Sequence, residues 1–143
     1  MLIAANIPTD PHRVLGTRPS TGGRSMEIGI DHVNVTVPLG ATDELVAFYE
    51  KAFGFTRVEK PPGGRRPGAW LQMTDDVQLH LTEHEAPPNP QAHFAVRVAD
   101  VDAVEATVRG LGADVEPLAE RGRGRRFLVR DPAGNGIEVC AEV

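Results

Sequence analysis

Apolar and polar residues alternate through IDHVNVTVP, residues 30–38: Val33, Val35 and Val37 fall on one parity, His32, Asn34 and Thr36 on the other. That period of two predicts a strand with one buried face. After Pro38 the period changes. Thr42 is placed to cap a helix whose first turn carries Asp43 and Glu44, and Leu45, Val46, Phe48, Tyr49, Ala52 and Phe53 then recur at helical spacing. Gly54 marks the helix stop. Three strand-like runs follow: FTRVEK, GAWLQMT and VQLHLTE.

Beyond the proline-rich linker APPNP, residues 86–90, the same order begins again. HFAVRV is a strand, Asp100 an N-cap, and Val101, Val104, Val108 and Leu111 the apolar stripe of a second helix stopped by Gly112. ADVEP, RRFLVR and GIEVCAEV complete the repeat. The chain therefore predicts two βαβββ modules, near residues 28–85 and 91–143, paired as one α+β domain with a curved mixed sheet around a central cleft. One helix covers only one face of its sheet, and the uncovered faces are left to form that cleft. Residues 1–26 hold Pro8, Pro11, Pro19 and Gly22-Gly23 without sustained periodicity, and are expected to be a flexible leader.

Parity also sorts the chemistry. Val33, Val35, Val37, Val77, Leu79, Leu81, Phe94, Val96, Val98, Ile137 and Val139 take the helix-covered face. The opposite face receives His32, His80, His93 and Glu138, all side chains able to ligate a metal. They occupy matching places, His32 and His93 opening the two modules, His80 and Glu138 in their last strands. A pseudo-twofold axis between the modules would gather all four. Imidazole and carboxylate together suit zinc, iron, manganese, nickel or cobalt, and two histidines with one carboxylate leave positions open for a substrate or water. Asn34, Gln78, Arg97 and Cys140 share the face and are candidates for contacting substrate. Arg97, two residues past His93, is suited to an anionic group. Cys140 has no neighbour in sequence that would activate its thiol.

Other residues are given structural or solvent roles. Arg65, Arg66, Arg121, Arg123, Arg125 and Arg126 lie in glycine-rich connections and are expected to be solvated loop charges. Asp131 is expected to shape the turn before the last strand. Trp70 and Phe127 occupy similar places in the two third strands, and their parity fits either core or cleft. His12 and His84 are expected to be bystanders.

Composition narrows the class. Of 143 residues, 41% are hydrophobic, enough for one packed domain, and no run approaches the length of a membrane span. The net charge of −5 argues against nucleic acid as partner. Cys140 is the single cysteine, which excludes an internal disulfide framework and fits a reducing, cytoplasmic setting. The opening MLIAANI lacks the charged front and cleavage pattern of a secretory signal.

At IDHVNVTV, FYEKAFGF, HFAVRVADVDAV and RDPAGNGIEV the chain resembles the vicinal oxygen chelate superfamily. That group contains glyoxalase I, extradiol dioxygenases, fosfomycin-resistance thiol transferases and bleomycin-binding proteins. The resemblance covers about residues 28–143. It implies metal positions at His32, His93 and Glu138, with His80 at the fourth, variable position, and homodimers whose clefts are completed across the interface. Several departures bear on the chemistry. Bacterial glyoxalase I usually has glutamate where this chain has His80, which leaves Glu138 as the carboxylate base and His80 as a second proton acceptor. Fosfomycin-type enzymes generally extend past the last strand, whereas this sequence ends at Val143; most dioxygenases carry a second pair of modules; metal-free drug-binding members tend to lack the histidines.

The expected function is a metal-dependent enzyme of the glyoxalase or dioxygenase type, acting on a small molecule that chelates a divalent cation through oxygen. Glu138 and His80 are its candidate catalytic groups. The alternatives are a non-catalytic cleft that sequesters a drug or metabolite, and a dimerisation module with a structural metal.

Overall fold

The computed structural model describes residues 28–122 and 124–142; the expected leader, Arg123 and His12 lie outside them. The described elements run β1 (His32–Val37), α1 (Thr42–Phe53), β2 (Thr56–Val58), β3 (Gly68–Gln72), β4 (Gln78–Glu83), β5 (His93–Val98), α2 (Val101–Gly110), β6 (Val115–Arg121), β7 (Gly124–Arg130) and β8 (Gly136–Ala141). This is βαβββ twice, in an α+β fold, as the repeated pattern predicts. Each module builds a four-stranded mixed sheet, ordered β1-β4-β3-β2 and β5-β8-β7-β6. In both, the first strand pairs in parallel with the last and the remaining pairs are antiparallel. No helix among the described residues is long and apolar enough to cross a membrane.

The alternation sets which face is buried. Leu79, Ile137 and Val139 are fully buried, and Val37 and Leu81 nearly so. Each such side chain removed from water contributes about 1.5–3 kcal/mol. From α1, Leu45, Val46, Phe48, Tyr49 and Ala52 are buried; from α2, Val101 and Val108. These residues of both modules form one cluster, so the apolar faces of the two sheets and the helices share a single core. Phe94, Val96 and Val98 are only half-buried, which leaves β5 less covered than its pattern predicts. Leu111, expected on the α2 stripe, is exposed because the helix already ends at Gly110.

Helix boundaries follow local chemistry, with one correction. Asp100 caps α2 as expected, its Oδ1 accepting from the Ala103 amide at 2.9 Å. Thr42 does not cap α1. The cap position is Ala41 without a side-chain bond, and the Thr42 hydroxyl donates instead to Glu83 Oε1 on β4 at 2.7 Å. Gly54 stops α1 at φ 71°, a left-handed conformation that costs glycine little.

A buried polar clip ties the modules together. The Tyr49 hydroxyl on α1 donates to Asp131 Oδ2 at 2.8 Å across 82 residues of sequence. Asn135 Nδ2 donates both to Asp131 Oδ2 and to the Thr36 carbonyl on β1. Asp131 Oδ1 accepts from the Ala133 and Asn135 amides. Asp131 thus shapes its turn as expected, and anchors the first module besides. Burial, together with the Asp131 charge, pushes the Tyr49 phenol well above its usual value.

Candidate functional site

With the core shared between the modules, each sheet turns its polar face away from it. On the first sheet that face carries His32 on β1, Gln78 and His80 on β4, and Trp70 and Gln72 on β3. Parallel pairing sets Asn34 beside His80, and antiparallel pairing sets Trp70 beside His80 on the other side. The three rings form a continuous stack. His32 and His80 centroids are 4.1 Å apart with planes at 14°, and Trp70 and His80 are 4.1 Å apart and parallel. An open recess of about 780 Å³ adjoins them, lined also by Asp31, Asp75 and Asp76.

Hydrogen bonds decide which atoms of these rings remain available. His32 Nδ1 lies 2.7 Å from Asp31 Oδ2, so this nitrogen carries the proton and Nε2 keeps its lone pair. His80 Nε2 lies 3.0 Å from Gln78 Oε1, which leaves its Nδ1 without a hydrogen bond among the described residues. Burial and the neighbouring His32 lower the His80 pKa, keeping the imidazole neutral near pH 7, the form that can ligate.

On the second sheet, β5 brings His93 and β8 brings Glu138. His93 Nε2 and Glu138 Oε2 are 3.5 Å apart. Arg126 on β7 donates from Nη1 to Glu138 Oε1 at 2.7 Å, and its Nε donates to the Ala119 carbonyl at 2.8 Å. Both members of this ion pair are shielded, with 13% and 16% of their side chains exposed. Glu138 therefore has one oxygen held by guanidinium and the other turned to His93. The solvated role expected for Arg126 is corrected here. Phe127 and Val129 are buried, so the alternation of RRFLVR puts Arg126 and Leu128 on the ligand face. Arg125 instead pairs with Asp102 and Glu105 of α2, and Arg66 with Glu85.

The two half-sites are built to one plan. His32 pairs with Gln78 and Asn34 with His80; His93 pairs with Gly136 and Ala95 with Glu138. The repeat equivalence of His32 with His93 and of His80 with Glu138 is therefore exact in strand register. The third strands differ, for Trp70 lies over His80 while Phe127 enters the core.

Within the chain, His32 meets His80 and His93 meets Glu138, and no group of three or more His, Cys, Asp or Glu among the described residues is close enough to hold one ion. The four candidates come together two by two, on the outer faces of different sheets. Asn34 Oδ1 accepts from the Thr82 hydroxyl, and Gln78 has both ends of its amide engaged, by His80 and by Gln72. Arg97 is exposed two residues along from His93. The Cys140 thiol donates weakly to the Val96 carbonyl at 3.4 Å, beside Arg126 in register. His84 accepts from the Ala86 amide, away from either half-site. Sequence reasoning missed Gln72, which no motif marks; its only signal is the shared parity with Trp70.

The family model described as Glyoxalase/Bleomycin resistance protein/Dioxygenase superfamily matches residues 29–139. Glyoxylase I 4 of Arabidopsis thaliana is 29% identical over 119 residues, spanning 75% of this chain and 68% of its own length. The crystal structure of a glyoxalase family protein from Bacillus anthracis superposes with a TM-score of 0.73 at 31% identity, covering 85% of this chain and 100% of that one. The fosfomycin resistance protein FosX of Listeria monocytogenes, in a mutant form complexed with Mn(II) and a dihydroxypropylphosphonic acid, shares the fold at TM-score 0.70 and 17% identity, covering 82% of this chain and 95% of that one.

Proposed function

Because the chain belongs to the Glyoxalase/Bleomycin resistance protein/Dioxygenase superfamily, we propose that it is a metal-dependent enzyme acting on a small molecule that chelates a divalent cation through oxygen. We further propose that His32 and His80 of one copy hold the cation with His93 and Glu138 of a second copy. One observation carries this. Three of the four candidate ligands are already tied to an outer partner that leaves one donor atom over: Nε2 on His32, Nδ1 on His80, Oε2 on Glu138. Ligating histidines and carboxylates in general have such partners, which set their tautomer and direction.

The donor set fits zinc, iron, manganese, nickel or cobalt, and excludes the all-oxygen coordination that calcium and magnesium prefer. When bound, the cation would act as a Lewis acid on a substrate oxygen. The chain's own residues supply the rest. Neutral His80 has one lone pair, on Nδ1, which serves either the cation or a proton. Arg126 holds Oε1 of Glu138, which leaves Oε2 as the oxygen free to ligate.

A second copy is the natural complement. The first polar face carries Asp31, Asp75 and Asp76 around its rings, while the second carries Arg97 and Arg126. This charge complementarity favours a homodimer in which the first sheet of one copy faces the second sheet of the other.

The binding-protein alternative, a cleft that sequesters a drug or metabolite without turnover, draws support from the same Arg126–Glu138 pair, since it occupies one oxygen of the one carboxylate among the four candidate ligands. Metal analysis of protein purified without chelator, followed by titration with Mn(II), Zn(II) or Co(II), separates the two. The enzyme reading expects about one ion per chain, lost in His93→Ala. Protein that takes up no ion would leave the sequestering cleft in its place.

A further inference from the structure

The polar network around His80 extends further than the site itself requires. Gln72 and Gln78 face each other across β3 and β4, and Trp70 faces His80 two pairs along, on the same face. Gln72 Nε2 donates to the Thr74 carbonyl at 2.6 Å and lies 3.4 Å from the Asp75 carbonyl. Carbonyl oxygens only accept, so the Gln72 amide nitrogen must face this turn and its oxygen must face Gln78. That oxygen accepts from Gln78 Nε2 at 3.0 Å, which in turn points Gln78 Oε1 at His80 Nε2, also at 3.0 Å. An oxygen there requires a proton on His80 Nε2. Reversing the chain would set Gln72 Oε1 against the two turn carbonyls, oxygen against oxygen.

We propose that Gln72 and Gln78 form a positioning relay, anchored on the β3–β4 turn, that locks His80 in its Nε2–H tautomer and leaves Nδ1 as the donor atom. Gln72 does not touch His80 and acts through Gln78. The Trp70 ring, parallel to His80, keeps the imidazole in the plane the relay needs. His80 Nδ1 is bonded to Cγ and lies on the main-chain side of its ring, whereas His32, tied at Nδ1 by Asp31, presents Nε2 at the far side of its ring. The relay deepens the metal-site reading and depends on it for its use, but its test does not.

The test uses the full, metal-free chain labelled with 15N-histidine, at about pH 8 where free histidine is neutral. Long-range 1H–15N spectra report which ring nitrogen carries the proton, and His80→Gln identifies the His80 signals. Wild-type His80 is expected as the Nε2–H form alone. Gln72→Leu removes the anchor without touching His80 and is expected to give both tautomers. Wild-type His80 protonated on Nδ1, or an unchanged tautomer in Gln72→Leu, overturns the relay; the first result needs no variant to fold. Zn(II) titration of the same samples is read separately. Affinity lowered roughly 10–100-fold in Gln72→Leu supports the use of the relay by the metal. A locked tautomer in protein that binds no ion would keep the relay and reject the metal reading.

Discussion

Tyr49→Phe should destabilise the domain by about 2 kcal/mol, without disturbing either half-site. The substitution removes one oxygen from a fully buried side chain and leaves the ring, which stacks on Phe55 at 6.0 Å, in place. What is lost is a hydrogen bond to a carboxylate, and bonds to charged groups are worth about 1.5–3 kcal/mol. Asp131 keeps three donors, the Ala133 and Asn135 amides and Asn135 Nδ2, so the loss stays within that range. For a domain of this size that corresponds to a fall of roughly 6–10 °C in melting temperature. A second signature lies in alkaline solution. Burial and the Asp131 charge raise the folded Tyr49 pKa above the ordinary value of about 10, so the unfolded chain releases this proton first. Its contribution is fully present below about pH 10 and is lost as pH rises through the folded value. Denaturant melts from pH 8 to 11 should show wild-type stability declining at the alkaline end and a shallower decline in Tyr49→Phe. A variant that melts within about 2 °C of wild type, with the same alkaline decline, would refute the role given to the clip.

Three further outcomes follow from the same structure. His80→Ala should weaken divalent-metal binding by about 10–100-fold or more, and His93→Ala should abolish it, both read by calorimetry; unchanged metal content in both removes the metal site. Gly68→Ala should cost about 4 kcal/mol or more and yield little soluble protein, because the added Cβ would overlap the Leu81 carbonyl oxygen at φ 152°; a soluble variant melting near wild type contradicts that contact. Asp100→Ala removes the α2 cap and should cost about 1 kcal/mol, a drop of roughly 3–5 °C, with metal binding unaltered.

Much of the fold is legible in the sequence because burial has a period. The alternation in HVNVTV, QLHLTE, HFAVRV and GIEVCA separates core from ligand face, and the repeat predicts which ligands correspond. The same rule, applied to RRFLVR, would have brought Arg126 to Glu138; assigning the segment by its glycine-rich flank concealed it. Thr42 shows a different limit. A cap and a cross-strand bond to Glu83 compete for one hydroxyl, and the sequence does not say which is nearer. Trp70 and Phe127 occupy matching strands yet point oppositely, since only register tells which residue of β3 or β7 faces His80 or Glu138. Least legible is how the half-sites meet. Parity places four ligands on polar faces, but a pseudo-twofold axis inside one chain and a true axis between two chains leave the same trace in sequence.

Mixing two variants tests the shared site most directly. One carries His32→Ala and His80→Ala, the other His93→Ala and Glu138→Gln; each alone should bind no metal. Unfolded together, refolded and dialysed against Zn(II), they should regain about a quarter of the wild-type metal content, because statistical pairing makes half the dimers mixed and each mixed dimer has one intact site. A mixture that binds no more than its two components, while the wild-type protein binds fully, would contradict a site shared between copies.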